Sequence, residues 1–201
     1  MKYRIEDIEV SQDFRIKLLN YEIGQDSILE LDILSAEELE KFKNYKSAKR
    51  QLEFYYTRLL WQAFNRSETI SYRATGKPMV EKGFLSISHS NQSIAIIYSA
   101  EKELGIDIEP ISKKIERVKH KFTHADESFE TLEDLTKAWC VKEAVYKLMD
   151  MDDVFFMDHI YLNTVESGRK AKIMVDGIDI QPTFNVKKLD NDLMMAWAYI
   201  I

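Results

Sequence analysis

The sequence is poor in cysteine, proline and glycine, with one cysteine (Cys140), three prolines and six glycines in 201 residues. A single cysteine excludes an internal disulfide framework, so we expect a protein of a reducing compartment, the cytoplasm. The scarcity of proline and glycine leaves no low-complexity linker and no obvious domain boundary. Because the chain is long enough to bury a substantial core, we predict a single domain over residues 1–201.

Long apolar runs and an excess of positive charge are also missing. No stretch approaches the roughly 20 apolar residues that cross a bilayer, and the N-terminal residues show no apolar segment typical of a signal peptide. The basic residues number 28 and the acidic residues 34, which gives a net charge of −6. These features disfavour a membrane protein and a nucleic-acid partner.

Carboxylates alternate with apolar residues in one short segment, residues 105–109, which read Gly-Ile-Asp-Ile-Glu. On a β-strand successive side chains point to opposite faces, so Asp107 and Glu109 would share one face. Ile106 and Ile108 would share the other. Alone, such a pattern usually indicates the solvent-exposed face of an antiparallel sheet. It gains functional weight only together with a second segment further along the chain.

That second segment, residues 139–147, reads Trp-Cys-Val-Lys-Glu-Ala-Val-Tyr-Lys and lies in a helix predicted over 132–149. Trp139, Glu143 and Lys147 are spaced four apart and therefore stack along one side of that helix. If the helix packs on the strand, three carboxylates and a lysine meet at one point. Hard oxygen ligands of this kind suit Mg²⁺, which keeps several waters and shares its shell with substrate phosphates.

Two polar segments lie upstream of the strand. The turn Gly-Lys-Pro at 76–78 combines a glycine able to take positive φ with a cation and a rigid residue. Residues 86–90 read Ser-Ile-Ser-His-Ser, and strict alternation would turn His89 inward, where an imidazole costs free energy unless it is hydrogen-bonded. We therefore expect the strand to end or bend at His89, and Ser88 and His89 to form a phosphate-binding pair. A serine hydrolase is the alternative, but the sequence has no Gly-x-Ser-x-Gly elbow.

A helix predicted over 47–64 carries Arg50, Phe54 and Arg58 at a spacing of four. The two arginines would lie on one side and reach the same anion. Solvated surface arginines are the alternative. Just before this helix, residues 35–38 (Ser-Ala-Glu-Glu) form a capping box, which predicts a helix that runs to about residue 45.

Two further features are weaker signals. His120 and His124 have the spacing of a helical metal pair but lack the glutamate of a metalloprotease motif, so we do not expect a zinc site. Five basic residues between 113 and 121 form a positively charged stretch in an acidic protein. Such stretches are usually solvated surfaces, and docking of an acidic partner is the alternative.

Taken in order, Gly-Lys-Pro, Ser-x-Ser-His-Ser, Gly-Ile-Asp-Ile-Glu and Trp-x-x-Lys-Glu-Ala-x-x-Lys closely resemble the motifs of the 4′-phosphopantetheinyl transferase superfamily. The sequence is more similar to the long, single-chain, surfactin-synthetase-activating type than to the short trimeric holo-acyl-carrier-protein synthases. The resemblance implies transfer of 4′-phosphopantetheine from coenzyme A to a serine of an apo acyl, peptidyl or aryl carrier protein. The other product would be adenosine 3′,5′-bisphosphate.

The resemblance also implies roles for individual residues. The carboxylates implied to bind Mg²⁺ are Asp107, Glu109 and Glu143. The residues implied to act in catalysis are Glu143, Lys147 and Lys142. A serine hydroxyl also needs a base, and Glu143, acting directly or through a metal-bound water, is the candidate. The residues implied to contact coenzyme A are Lys77, Pro78, Ser88, His89, Arg50 and Arg58. The basic stretch would then face the carrier protein.

The resemblance, together with the repeated order of helix and apolar strands, predicts an α+β fold of two similar lobes, about 1–100 and 101–201. Each lobe is expected to be a small antiparallel sheet packed with a long helix. The active site would lie in the cleft between the lobes of a monomer. A catalytically silent protein that binds coenzyme A or a carrier, and a purely structural protein, are the alternatives.

Overall fold

The computed structural model describes residues 2–23, 29–151, 154–175 and 177–200. The fold is α+β, as predicted, with helices packed on several small antiparallel sheets. No helix in these ranges is long and apolar enough to cross a membrane.

The elements of the first half of the chain follow one another in this order: β1 (Tyr3–Val10), β2 (Arg15–Tyr21), α1 (Ala36–Asn44), α2 (Ala48–Gln62), β3 (Ser71–Tyr72), β4 (Pro78–Met79), β5 (Phe84–Ser90) and β6 (Ser93–Ser99). Those of the second half are β7 (Leu104–Pro110), α3 (Lys114–Val118), α4 (Leu132–Met149), α5 (Phe156–His159), β8 (Ile160–Tyr161), β9 (Arg169–Lys170), β10 (Lys172–Val175), β11 (Ile178–Ile180), β12 (Thr183–Leu189) and β13 (Leu193–Tyr199). Short 3-10 turns cover Leu31–Ile33, Lys119–Lys121 and Asp190–Asp192.

Two four-stranded sheets form the frame of the protein. The first has the order β1-β2-β6-β5 and the second β7-β13-β12-β9. Smaller sheets join β11-β10-β8 and β3-β4. The first large sheet contains only strands that precede residue 100 and the second only strands that follow it, which is consistent with two lobes.

The apolar core forms three layers separated by the two large sheets. Between α2 and the first sheet lie Tyr56, Leu60, Leu85, Ile94 and Ile96. Between the two sheets lie Ile16, Ile97, Ile106, Ile108 and Met195. Between the second sheet and α4 lie Val141, Ala144, Val145, Phe184 and Met194. The sequence of layers is thus α2, first sheet, second sheet, α4.

The predicted helix signals are present at the helix ends. The Ser35 hydroxyl accepts a hydrogen bond from the amide of Glu38 at 3.3 Å, and the Glu38 carboxylate accepts one from the amide of Ser35 at 3.2 Å. This capping box starts α1, as predicted. α4 has the predicted bounds; it begins after Thr131, whose hydroxyl accepts from the amide of Asp134, and ends at Asp150 in the left-handed conformation.

β5 corrects one expectation, because the strand does not end or bend at His89. It continues past that residue, which is paired opposite Ile94. Alternation places Leu85 against the core beneath α2, and His89 points to the same side. The residue keeps an exposed surface, and its Nε2 lies 3.0 Å from the Thr57 hydroxyl of α2, a contact that satisfies this one ring nitrogen.

α4 packs directly on β7 at Gly105. A Cβ added to Gly105 would lie 2.0 Å from the carbonyl oxygen of Ala144 and 2.7 Å from the amide nitrogen of Leu148. Both are backbone atoms that cannot swing aside. Gly105 therefore sets the distance between the strand and the helix.

Gly105→Ala is expected to destabilise the fold by about 3 kcal/mol, because one extra methyl group forces the helix away from the strand along its whole contact. Urea unfolding monitored by circular dichroism measures the change. Glu103→Ala, at an exposed position two residues earlier, is the matched control and should stay near wild type. Equal stability of Gly105→Ala and Glu103→Ala would contradict the close packing.

Candidate functional site

The predicted strand and helix face each other as β7 and α4. Ile106 and Ile108 are fully buried in the layer between the sheets. Asp107, which alternates with them, is 5% exposed and contacts Lys147 of α4. The two faces predicted for this strand are therefore confirmed.

Asp107 and Lys147 form the centre of the site. The Lys147 ammonium donates to Oδ1 of Asp107 at 2.7 Å and to the carbonyl oxygen of Ile106 at 3.1 Å. The Ser88 hydroxyl donates to the same Oδ1 at 2.8 Å. Oδ2 of Asp107 is buried without a hydrogen-bond partner among the described residues. A buried carboxylate oxygen without a partner is costly, and it marks a place for a ligand.

The negative charge of Asp107 acts on the pKa values of Glu143 and Glu109. Burial, the charge of Asp107 and that of Glu109 raise the pKa of Glu143 to about 7, while Lys147 opposes the shift. Burial and the charge of Asp107 likewise raise the pKa of Glu109 to about 6. The three carboxylates influence one another, and the lysines nearby, Lys147 for both glutamates and Lys114 for Glu109, offset their charge only in part. This arrangement favours a further cation.

The donor set fits a divalent metal of the oxygen-preferring kind. Asp107 offers a buried oxygen without a partner, and Glu109 and Glu143 add two more carboxylates with raised pKa values. Among the described residues, however, no three His, Cys, Asp or Glu side chains form a group that could hold a metal ion as they stand. Mg²⁺ usually takes one or two carboxylates and completes its shell with waters and phosphates. The carboxylates therefore fit a metal that arrives with its substrate.

Lys142 is not brought to this site. Its side chain is fully buried, and its ammonium donates to the carbonyl oxygen of Phe122 at 2.6 Å, the carboxylate of Glu127 at 2.7 Å and the carbonyl oxygen of Phe156 at 3.3 Å. An ammonium has three hydrogens, and all three are engaged. The geometry supports a structural role for Lys142, which connects α4 to the segments before and after it. It gives no support to the predicted catalytic role of Lys142.

Ser88 and His89 lie side by side on β5 but face different partners. The Ser88 hydroxyl accepts from the amide of Ile108 at 3.2 Å while it donates to Asp107, so its hydrogen is not free for a phosphate. Burial and the cations Lys147 and Arg50 lower the pKa of His89 to about 4, although the residue as a whole keeps an exposed surface. His89 is therefore neutral near pH 7.

The two arginines predicted to grip an anion have different environments. Arg58 is 4% exposed, pairs with Glu38 at 2.7 Å and donates weakly to Tyr72 and to the carbonyl oxygen of Ile70. Arg50 has an exposed side chain and contacts Glu53 at 3.1 Å. Arg58 is thus buried and stabilises the packing of α2, whereas Arg50 is accessible to an anion.

Lys77 and Pro78 lie beside a hollow of about 180 Å³ that also adjoins Lys147. The Lys77 ammonium donates to the carbonyl oxygen of Leu148, in the last turn of α4, at 3.0 Å. A cation at this end of a helix is favoured by the helix dipole. Gly76 takes a φ of +87°, as the sequence led us to expect.

Sequence reasoning missed two residues that shape the site. Asp150 accepts from Arg73 at 2.6 Å and from Thr75 at 2.7 Å, and so fastens the β3–β4 hairpin to the end of α4. Thr57 contacts His89 from α2. A polar residue at the buried side of a helix was a signal for Thr57, but the partners of both residues are distant in sequence.

The two weaker signals have simple outcomes. The basic residues of the stretch are exposed on and around α3: Lys113, Lys114, Arg117, Lys119 and Lys121. His124 accepts from the amide of Asp126 at 3.2 Å through Nδ1. Neither His120 nor His124 belongs to a group of metal-binding side chains in the ranges that the structure describes.

Lys142→Met is expected to lower the free energy of unfolding by about 3 kcal/mol, because it leaves the buried carboxylate of Glu127 without its cation. Lys137→Met removes a partly exposed lysine of the same helix that pairs with Glu133, and should cost less than about 1 kcal/mol. Chemical denaturation of both variants measures the difference. If Lys142→Met were as stable as Lys137→Met, the structural role would be refuted.

A comparison with models of protein families gives a match. Residues 103–198 match the family model described as the 4′-phosphopantetheinyl transferase superfamily. A search of curated proteins found no match. The matched segment begins just before β7 and extends into β13, so it contains Asp107, Glu109, Glu143 and Lys147. The part of the chain that contains the carboxylate site is therefore similar to the 4′-phosphopantetheinyl transferase superfamily, which supports a transferase.

Proposed function

We propose that the whole protein is a 4′-phosphopantetheinyl transferase of the long, single-chain type. It would transfer 4′-phosphopantetheine from coenzyme A to a serine of an apo acyl, peptidyl or aryl carrier protein, with Mg²⁺, and release adenosine 3′,5′-bisphosphate. The observation that carries the proposal is the meeting of Asp107, Glu143 and Lys147 where α4 packs on β7, within the segment that matches the superfamily.

The chain supplies the charges that this transfer requires. Mg²⁺, held by Asp107, Glu109 and Glu143, would neutralise charge on the pyrophosphate and polarise it. The serine oxygen forms a bond to the β-phosphorus of coenzyme A, and the bond from that phosphorus to the bridging oxygen breaks. The protein itself needs to do little covalent chemistry, because phosphoryl transfer depends mainly on positioning and on electrostatic stabilisation.

Glu143 and Lys147 have complementary roles in the proposed reaction. The pKa of Glu143, raised to about 7, suits a group that receives the proton of the serine hydroxyl near neutral pH. Lys147 keeps a positive charge 2.7 Å from Asp107, at the place where negative charge would grow on the leaving phosphate. In this scheme the proton goes to Glu143 and the negative charge to the leaving adenosine 3′,5′-bisphosphate.

The proposal extends to the partners of the enzyme. The exposed basic stretch around α3 is complementary in charge to an acidic carrier protein, and complementary charge speeds and orients docking. We further propose a monomer that acts in the cytoplasm, where the single buried cysteine, Cys140, is compatible with reducing conditions.

Asp107→Ala and Glu143→Gln are expected to lower the rate of carrier loading at saturating coenzyme A by at least about 100-fold, because each removes a carboxylate proposed to hold the metal and Glu143→Gln also removes the proposed base. Mass spectrometry of several apo carriers incubated with coenzyme A and Mg²⁺ detects the added group. Glu133→Gln serves as the control, because Glu133 lies at the start of α4 and pairs with Lys137 and Lys188, outside the site. Near-normal loading by either site variant would refute the mechanism, and no loading by the wild type would favour the silent alternative.

The metal should stabilise the protein more at pH 8 than at pH 5.5. The pKa values of Glu143 and Glu109 are raised on folding, so the folded state retains protons that the unfolded state loses above about pH 4.5. Without metal, these groups make folding less favourable as the pH rises from about 4.5 to about 6 for Glu109 and about 7 for Glu143. Mg²⁺ would bind these carboxyl groups and offset their negative charges only after the groups have lost their protons.

Thermal melting at both pH values, with and without Mg²⁺, measures this linkage without any activity assay. Glu143→Gln should melt with a smaller pH dependence than the wild type and with a smaller response to Mg²⁺. A Mg²⁺ response that is equal at the two pH values, or unchanged in Glu143→Gln, would contradict metal binding by these carboxylates.

A further inference from the structure

Thr57 is a buried hydroxyl in contact with a residue of the proposed coenzyme A site. It lies on α2, is 2% exposed, and its Oγ1 is 3.0 Å from Nε2 of His89. The same Oγ1 donates to the carbonyl oxygen of Glu53, one turn earlier, at 2.6 Å. No motif of the sequence assigned a role to this threonine.

The two contacts of Thr57 determine which ring nitrogen of His89 carries hydrogen. A hydroxyl has a single hydrogen to donate, and here the short bond to Glu53 uses it. Towards His89, therefore, Thr57 can only accept. Nε2 must then be the N–H donor, because two acceptors facing each other at 3.0 Å would repel.

Burial and the charges around His89 keep its ring neutral. Lys147 approaches from α4, and Lys49, Arg50 and Arg58 from α2; all four disfavour a positive imidazolium. A neutral imidazole carries one hydrogen, which the contact with Thr57 places on Nε2. Nδ1 is left as an acceptor with no protein hydrogen bond among the described residues. The hydrogen bond made by one ring nitrogen thus sets the state of the other.

We propose that Thr57 is a positioning residue, which accepts from Nε2–H of His89, fixes the orientation of the ring and leaves Nδ1 for the 3′-phosphate of coenzyme A. One proton, carried by the phosphate or taken up by Nδ1 beside the phosphate's negative charge, joins Nδ1 to a phosphate oxygen. This inference rests on the proposed function, because His89 is the residue implied to meet the 3′-phosphate. Thr57 itself touches no reacting atom. It acts through His89, much as a partner behind a metal-binding histidine fixes that ring.

Nitrogen NMR of the imidazole tests the tautomer directly, in the full-length protein without any ligand. The wild type should show a protonated Nε2 and a bare Nδ1 above pH 6. Thr57→Val keeps the branched shape but loses the hydroxyl, and should show a mixture of tautomers. Thr57→Ser keeps the hydroxyl and should show the wild-type signal. A protonated Nδ1 in the wild type, or identical signals in wild type and Thr57→Val, would overturn the proposal.

Carrier loading then tests whether the tautomer matters for the substrate. Thr57→Val should raise KM for coenzyme A about tenfold and leave kcat within twofold, whereas Thr57→Ser should resemble the wild type. With 3′-dephospho-coenzyme A, which lacks the phosphate, wild type and Thr57→Val should have the same KM. An unchanged KM for coenzyme A, or an equal rise for both substrates, would overturn the role of Thr57.

Failure of the wild type to load any carrier would refute the proposed function, while the NMR result would still decide how Thr57 holds His89.

Discussion

The site depends on how closely α4 approaches β7. Gly105 has no side chain, and the backbone of Ala144 and Leu148 occupies the space that a Cβ would take. This contact brings the next inward residue of the strand, Asp107, within 2.7 Å of Lys147. An extra methyl group at Gly105 would move the two elements apart before any side chain of the site was altered. The chemistry of the site thus begins with a packing constraint on the backbone.

A second constraint joins the two large sheets at their adjoining edges. The Ser86 hydroxyl accepts from the amide of Ile106 at 3.1 Å, and the Ser88 hydroxyl accepts from the amide of Ile108 at 3.2 Å. Side-chain oxygens of β5 thereby satisfy amides of β7 that would otherwise be buried without a partner. Because Ser88 also donates to Asp107, the same small side chain that joins the sheets also orients a carboxylate of the site.

Local sequence signals predicted the parts of this structure that depend on neighbours in sequence. The bounds of α4, the capping box of α1 and the two faces of β7 follow from periodicity and from residues a few positions apart. The directions taken by Lys142 and Arg58 do not, because their partners, Glu127 and Glu38, come from other elements. Motif spacing placed Lys142 next to Glu143, but consecutive helical residues point in different directions.

The charges buried in this protein fall into two groups that differ in how well they are satisfied. Lys142 with Glu127, and Arg58 with Glu38, are ion pairs whose hydrogen bonds are filled by the protein itself. At Asp107 and Glu143 the opposite holds, with an unpaired buried oxygen on the first and a carboxyl pKa raised to about 7 on the second. One further carboxylate oxygen, Oε1 of Glu68, is buried without a hydrogen bond among the described residues, but it lies 3.5 Å from the guanidinium of Arg66. At the site, the buried oxygen of Asp107 and the raised pKa of Glu143 occur together, at a cost in free energy. Because structures commonly depart from local satisfaction at functional sites, this imbalance supports the proposal that Asp107 and Glu143 belong to the functional site, while Lys142 and Arg58 stabilise the fold.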